Sequence, residues 1–396
     1  MSETSRDVWI TGVGIVSCLG EGSDVHGLGL SAQGVKANTA EYAPYAFFPL
    51  PAGMSFDAQI PKKSDQRQMA LCQRIGTYAA GLALQSAALK DDKERLARMD
   101  MVTTTTGGER DVAVDSAVLS GIRSADDPAQ FLNQRLTSDL RPTFFLGQLP
   151  NLLAGNIAIV HGVTGSARTL VGEEAAGVDA VKIAAARVAS GQGDLVLVGA
   201  SCNGSRKDLL LHIVMSGHAR SGELRPVFDR ASSGGGMALG SIGAFLVLEA
   251  AEHARARGVR PVARLARVVS DAAADDTQRQ AVLQALWSEL QPALGARVGI
   301  ISGASGAEPA TAIERGFLSS VGDRPLRATG TFTGHGLQAQ FPMNIGIAAL
   351  LLQQGRLYPA SDGIEQRVAG DAISQIVVTG VGRHYGEGLA LLEAVA

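Results

Sequence analysis

The chain has 396 residues and a net charge of −3 with no basic block. That length argues for two domains or one double domain, and that charge argues against nucleic acid as a partner. No apolar stretch reaches the roughly 20 residues a spanning helix needs, and the opening MSETSRDVWITGVG lacks a secretory-signal pattern, so a cytoplasmic protein without membrane contact is expected.

Hydrophobic residues make up 46% of the chain and aromatics only 5%, so the core is expected to be Ala, Val, Leu and Ile. The 48 glycines suggest many tight turns and close backbone approaches. Cys18, Cys72 and Cys202 are too few and too scattered for a disulfide framework or a zinc site. No metal and no cofactor is expected.

In chain order, DVWITGVG (7–14) reads as a strand entering a glycine turn, and RQMALCQRIGTYAAGLALQSAALK (67–90) as one helix by its apolar spacing. RMDMVTTTTGG (98–108) reads as a second strand. Arg168-Thr169-Leu170-Val171 is strand-like, Gly172 permits a sharp turn, and a helix running on from Glu173 stops at Gly191. DLVLVGAS (194–201) completes a strand–helix–strand unit. The charged, helix-like EAAEHARARGVRP (249–261) marks a seam, which gives halves at 1–252 and 253–396. ARVGIISGAS (296–305) and SQIVVTGVG (374–382) are further strand-like runs. Strands alternating with helices predict a parallel or mixed sheet covered on both faces. DVWITGVG and QIVVTGVG (375–382), nearly the same phrase near opposite ends, suggest a duplicated α/β unit.

The unusual feature is Glu173-Glu174 at a strand-to-helix corner, a place where α/β folds often set a nucleophile. One reading is simple: acids in the first turn of a helix complement its dipole and its unpaired N–H groups. The other is that Glu174 points into a cavity as a nucleophile would. The helix terminus then lowers its pKa unless burial raises it. A carboxylate is a poor acyl carrier, because a mixed anhydride is more reactive than a thioester. An acid at this corner therefore argues against acyl-enzyme chemistry.

Several segments resemble the β-ketoacyl synthases, the condensing enzymes of the thiolase fold. VWITGVGIVSCLGEG is similar to their opening strand and loop, and LPNLLAGNIAIVHGVTGSARTLVGEEAAG (149–177) to the approach to their active-site elbow. LRPVFDRASSGGGMALGSIGAFLVLEAAEHARARG (224–258) resembles the end of their first half. ATGTFTGHGLQAQ (328–340) resembles their second histidine motif, and VVTGVGRHYGEG (377–388) their glycine-rich closing loop. The resemblance implies an α/β, thiolase-like, five-layered α-β-α-β-α fold with two pseudo-symmetric halves, and an obligatory dimer.

It also implies a degenerate site. Glu174 stands at the position of the acyl-carrying cysteine, Ser302 at that of the first histidine and Gly330 at that of the lysine, while His335 survives. Condensation needs a thiolate and two imidazoles, so no catalytic residue is expected. The three cysteines read as core or loop filler. His335 reads either as a remnant of the site or as a hydrogen-bonded fold element. His384 reads either as such a fold element or, together with Arg383, as lining of the pocket mouth. His26, His161, His212, His218 and His253 show no constellation.

The family reading that fits is a non-catalytic chain-length-factor-type subunit of type II polyketide or aryl polyene biosynthesis. It implies a heterodimer with an active, cysteine-bearing ketosynthase, and an acyl carrier protein reached through that complex. Arg168, Thr169 and Leu170 are the expected dimer contact, with tunnel walls near 107–125 and 142–150. Phe144 and Phe145 are read as a floor limiting chain length, or as ordinary core. The alternative is altered chemistry, such as decarboxylation of a malonyl carrier without condensation.

Overall fold

The computed structural model describes residues 5–139, 147–361, 363–365 and 372–395. Phe144 and Phe145 lie outside them.

Among the described residues, ten strands of three residues or more share one sheet. They are β1 (Val8–Ser17), β2 (Asp100–Thr105), β3 (Ala167–Val171), β4 (Leu195–Cys202), β5 (Ile242–Ala250), β6 (Ala263–Asp271), β7 (Val298–Ser302), β8 (Leu326–Ala328), β9 (Gln375–Val381) and β10 (Glu387–Glu393). Their order across the sheet is β8-β7-β9-β10-β6-β1-β5-β4-β2-β3. Counted within β1–β5 and again within β6–β10, both sets run third, second, fourth, fifth, first. In both, the fifth strand is antiparallel to its two neighbours and the other pairs are parallel. The two sets join antiparallel through Trp9 opposite Arg264 and Ile10 opposite Ala263.

This symmetry, rather than the repeated phrase, carries the duplication. DVWITGVG runs into β1, a first strand, whereas QIVVTGVG opens on β9, a fourth; the counterpart of β9 is β4. Nor does the first phrase end in a turn: β1 runs straight through both glycines to Ser17. A Cβ on Gly12 would lie 2.3 Å from the Ala83 carbonyl oxygen, and one on Gly14 2.1 Å from that of Ala79. These glycines let a helix lie directly on the strand.

That helix is α1 (Leu71–Ser86), and the stretch expected as a single helix is broken ahead of it, because Lys63–Gln68 forms a separate short helix. Met69 and Ala70 are extended, and the Gln73 side chain accepts from the Ala70 N–H at 3.0 Å, which caps the new start.

The remaining layer-forming helices are α2 (Leu152–His161), α3 (Glu174–Ala189), α4 (Asp276–Leu290), α5 (Ala310–Ser320) and α6 (Gln340–Gln354). α1 and α2 cover the outer face of the first set of strands, α4 and α5 that of the second. α3 and α6 lie between and touch strands of both sets, so the layers are helix, sheet, helix, sheet, helix.

Strand alternation explains the three large cores among the described residues. In β4, Leu197 packs with Ile75 and Tyr78 of α1, and its neighbour Val198 with Val178 and Val181 of α3. In β9, Val377 faces Trp287 and Phe317 of the far outer layer, and Val378 faces the middle. Strands buried on both faces need unbroken apolar runs, which LVLVGASC and QIVVTGV supply. α6 is buried all round from Gln340 to Leu352, as a helix clamped between the two sets of strands must be. Among the described residues no helix is long and apolar enough to cross a membrane.

Candidate functional site

Parallel strands β2, β3 and β4 all end on the same side of the sheet, and ligand crevices of α/β folds lie outside such carboxyl ends. Three segments meet there: 106–109 after β2, the Gly172–Glu174 corner after β3, and 203–206 after β4. The closing loop between β9 and β10 (382–386) comes in from the second set of strands. Gly386 allows this approach, since a Cβ there would sit 2.4 Å from that of Ala175 in the first turn of α3.

At the corner, Glu173 is the N-cap of α3 and Glu174 its first residue. Glu173 does not cap the helix with its side chain. Its carboxylate instead accepts two bonds from Arg383, from Nε at 3.0 Å and Nη2 at 2.5 Å. The Arg383 side chain has no exposed surface, and that of Glu173 is 27% exposed. Arg383 Nη2 also lies 3.1 Å from His212 Nε2. A guanidinium only donates, so that imidazole nitrogen accepts.

Glu174 lies under this pair, 7% exposed, with Oε1 lacking any hydrogen-bond partner. Burial pushes its carboxyl up to about 7, and the Glu173 charge adds to the rise. Its own N–H, the Arg383 charge and the Arg383 N–H pull the other way without winning. Of the two influences the sequence offered, burial outweighs the helix terminus.

His335 is buried, and burial drives its imidazole down to about 3, with the charges of Arg383 and Arg230 adding to the fall. Nδ1 accepts from the Leu337 N–H at 3.3 Å, and a hydrogen bond with the Gly303 backbone opposes the shift. It is a neutral ring engaged by backbone on both sides.

Ser302 is not at this centre. Its hydroxyl turns to the outer layer and donates to Glu314 of α5 at 2.6 Å, a carboxyl that also accepts from Thr379. A Cβ on Gly330 would meet the Ala304 carbonyl oxygen at 3.1 Å, so this position faces the loop after β7. Burial pushes the thiols of Cys18 to about 12 and Cys72 to about 11, and raises Cys202 as well. None of the three is held as a thiolate.

Glu174 and Arg383 line an open cleft of about 620 Å³, together with Thr169, Leu170, His212 and His384. Two histidines read as isolated belong here. His218 packs edge-on against His384 at 5.2 Å, and His212 joins Arg383. Burial lowers the pKa of His218 and of His384, and the Arg383 charge lowers both further. The other three lie elsewhere, each with its own hydrogen-bond partner. His26 bonds Ser17 at 2.8 Å, His161 the Thr77 carbonyl at 2.8 Å, and His253 lies 2.5 Å from buried Glu249. Nothing local in sequence marked His212 and His218; the only available signal was that they follow the carboxyl end of β4.

Arg168 and Val171 are exposed on β3, which among the described residues pairs only with β2 and leaves its other edge unpaired. A groove of about 760 Å³ runs beside it, lined by small residues including Ala154, Gly155, Ala158 and Ala167. Exposed Ile159, Leu149 and Val171 flank it. The expected wall segment begins in a tied loop. Arg206 donates to the Gly108 carbonyl at 2.9 Å, while Glu109 accepts from the Cys72 N–H at 2.6 Å and from Asn203 at 3.1 Å.

A two-set α/β sheet with this strand order, and a strand-to-helix elbow after its edge strand β3, is the thiolase-like arrangement. Residues 5–254 match the family model described as β-ketoacyl synthase, N-terminal domain. The chain belongs to the β-ketoacyl synthase family.

It is 26% identical over 269 residues to 3-oxoacyl-[acyl-carrier-protein] synthase 2 of Vibrio cholerae, covering 65% of this chain and 61% of that protein. It is likewise 26% identical over 275 residues to the Rhizobium meliloti protein of the same name, covering 64% and 62%. The match thus spans about three fifths of the length of these relatives.

Among solved structures, the ishigamide ketosynthase/chain length factor superposes with a TM-score of 0.79 at 20% identity, over 99% of this chain and 100% of that one. A β-ketoacyl synthase from Burkholderia phymatum gives 0.78 at 18%, with the same coverage. A type II polyketide ketosynthase complex with its acyl-carrier protein gives 0.73 at 17%, again over 99% and 100%. These superpositions speak to the fold.

Proposed function

We propose that this chain is a non-catalytic, chain-length-factor-type partner of a β-ketoacyl synthase. In this reading it shapes the acyl tunnel in type II polyketide or aryl polyene biosynthesis, with thiolase-like halves at 1–252 and 253–396. The observation that carries it is the elbow. The fold around it is complete, yet the residue at its tip is a buried carboxyl under an ion pair, and no thiolate stands in reach. Acyl transfer needs an activated nucleophile with a base beside it, yet His335 is already engaged by backbone and the His212 ring nitrogen already accepts from Arg383.

The open edge of β3 supports the partner half of the reading. An unpaired strand edge beside apolar Val171, Ile159 and Leu149 is a pairing template that folded proteins normally cover. Covering it with a cysteine-bearing homologue places Arg168, Thr169 and Leu170 at the contact and brings a working elbow near this chain's cleft. A carrier protein then delivers acyl groups to the complex. The kinship of the fold to a ketosynthase/chain length factor and to a ketosynthase bound to its acyl-carrier protein agrees with both partners.

Native mass spectrometry of the chain purified from its own host, without overexpression, tests this. A 1:1 complex with a cysteine-bearing synthase is expected. A homodimer alone overturns the reading, and malonyl-carrier protein is then the substrate to offer. One observation favours that second, decarboxylating reading: with its carboxyl pushed up to about 7, Glu174 is partly uncharged near neutrality and does not fully repel a malonyl carboxylate. A separate prediction concerns the depth of the decay. Glu174→Cys is expected to give no condensing activity and no acyl-enzyme by intact mass, since Ser302 faces away and Gly330 offers no amine. Turnover by that single variant would show the rest of the site to be intact.

A further inference from the structure

The closing loop is tied down from two sides by buried arginines. From below, Arg279, 1% exposed, pairs with fully buried Glu387 at 2.6 Å and donates to the Gly382 carbonyl. From above, Arg383 holds Glu173 by two bonds and touches His212, so its one side chain links the loop, the N-cap of α3 and the helix Lys207–Met215. Glu173 and Arg383 line the same cleft as Glu174.

The strap leaves polar atoms unused beneath it. Arg383 Nη1 and Glu174 Oε1 are both buried and both without a hydrogen-bond partner. A strap that served only to stabilise the corner has no reason to leave one donor nitrogen and one acceptor oxygen unmet, since each costs free energy while unmet. The pairing chosen, Arg383 to the more exposed carboxylate Glu173 and not to Glu174, joins the two segments that line the cleft, the corner and the closing loop. The charged groups facing the strap are Glu173, Glu174 and Asp179 of α3, His212 of the neighbouring helix, His218, and His384 of the loop.

We propose that the Glu173–Arg383 pair is a bar across this subunit's own elbow that excludes the thioester-bearing arm of a carrier protein, so that acyl groups load on the partner's elbow alone. This rests on the partner-subunit reading above. The bar supplies the asymmetry that reading requires: two similar folds side by side, of which one elbow accepts an acyl arm and the other is shut.

A thiol placed at the elbow reports the bar directly. In Glu174→Cys, chloroacetyl pantetheine is the probe; the thiolate attacks the methylene carbon and chloride leaves. Modification at position 174 is followed by peptide mass, which separates it from Cys18, Cys72 and Cys202. Adding Glu173→Gln, which keeps the side-chain volume and leaves Arg383 in place, is expected to speed labelling about tenfold, as the loss of one partly buried ion pair predicts. Adding Arg383→Ala instead is expected to do the same, so the result does not hang on one variant folding.

Equal rates with and without these changes overturn the bar. The same wild-type sample, weighed in its native state, separates the two ideas. A heterocomplex together with equal labelling rates removes the bar and keeps the partner role. Absence of the heterocomplex removes the partner role, and the bar falls with it.

Discussion

Replacing Glu174 with glutamine is expected to make the protein more stable at pH 8 by up to about 3 kcal/mol and to leave it unchanged near pH 4. The cause is the burial that lifts this carboxyl from its ordinary 4.5 to about 7. Below about pH 4.5 both folded and unfolded chains hold the proton, and burial is not penalised through ionisation. Between there and about 7 the folded chain keeps a proton the unfolded chain has lost, so stability falls as pH rises. Above about 7 the whole penalty stands, and at about 1.4 kcal/mol per tenfold change in proton affinity it amounts to about 3 kcal/mol. Glutamine carries no such penalty, so the stabilities of the two proteins converge in acid and separate in base. Urea unfolding at a series of pH values measures this. Parallel curves would mean that Glu174 reaches water and that the corner is open. Activity of the assembled complex is expected to stay near wild type in the same variant.

The parts of the fold that sequence revealed are those written in local pattern. β4 and β9 are legible because a strand buried on both faces must be an apolar run, and the Glu173-Glu174 corner because a glycine turn joins a strand to an Ala-rich helix. Close packing was less legible. Gly12 and Gly14 look like a turn, but they are the surface on which α1 rests, and only the partner helix distinguishes the two uses. The repeated TGVG phrase pointed to a duplication that the strand order bears out, yet the phrases themselves stand on non-equivalent strands. The site was hardest, because its members come from distant segments. Arg383 and Glu173 are 210 residues apart, and Arg383 and His212 are 171 apart. Ser302 shows the reverse error. Its place in the chain fitted a family position, but strand alternation at the end of β7 sends its hydroxyl toward Glu314 and the outer layer.

Arg383→Met is expected to cost about 2–3 kcal/mol at pH 8 and to raise the pKa values of three groups together. The stability loss comes from leaving Glu173 without its cation. For a fully buried pair about 3–5 kcal/mol is usual, and the 27% exposure of Glu173 lets water recover part of it. The pKa changes come from the same lost charge. Arg383 now holds His218 and His384 below their ordinary range and pulls Glu174 down against burial. Without it the two imidazoles take up protons more readily, and Glu174 keeps its proton to still higher pH. NMR titration of the histidines, with a double-mutant cycle against Glu173→Gln, separates charge from packing. If the guanidinium acts through its charge, the cycle shows a coupling of about 1 kcal/mol or more between positions 173 and 383, and both histidine titrations move up. If it acts only as filler, methionine replaces most of its volume, the coupling vanishes and the histidines titrate as before. In that case the elbow is closed by shape alone, and no ion pair is needed to explain why it stays shut.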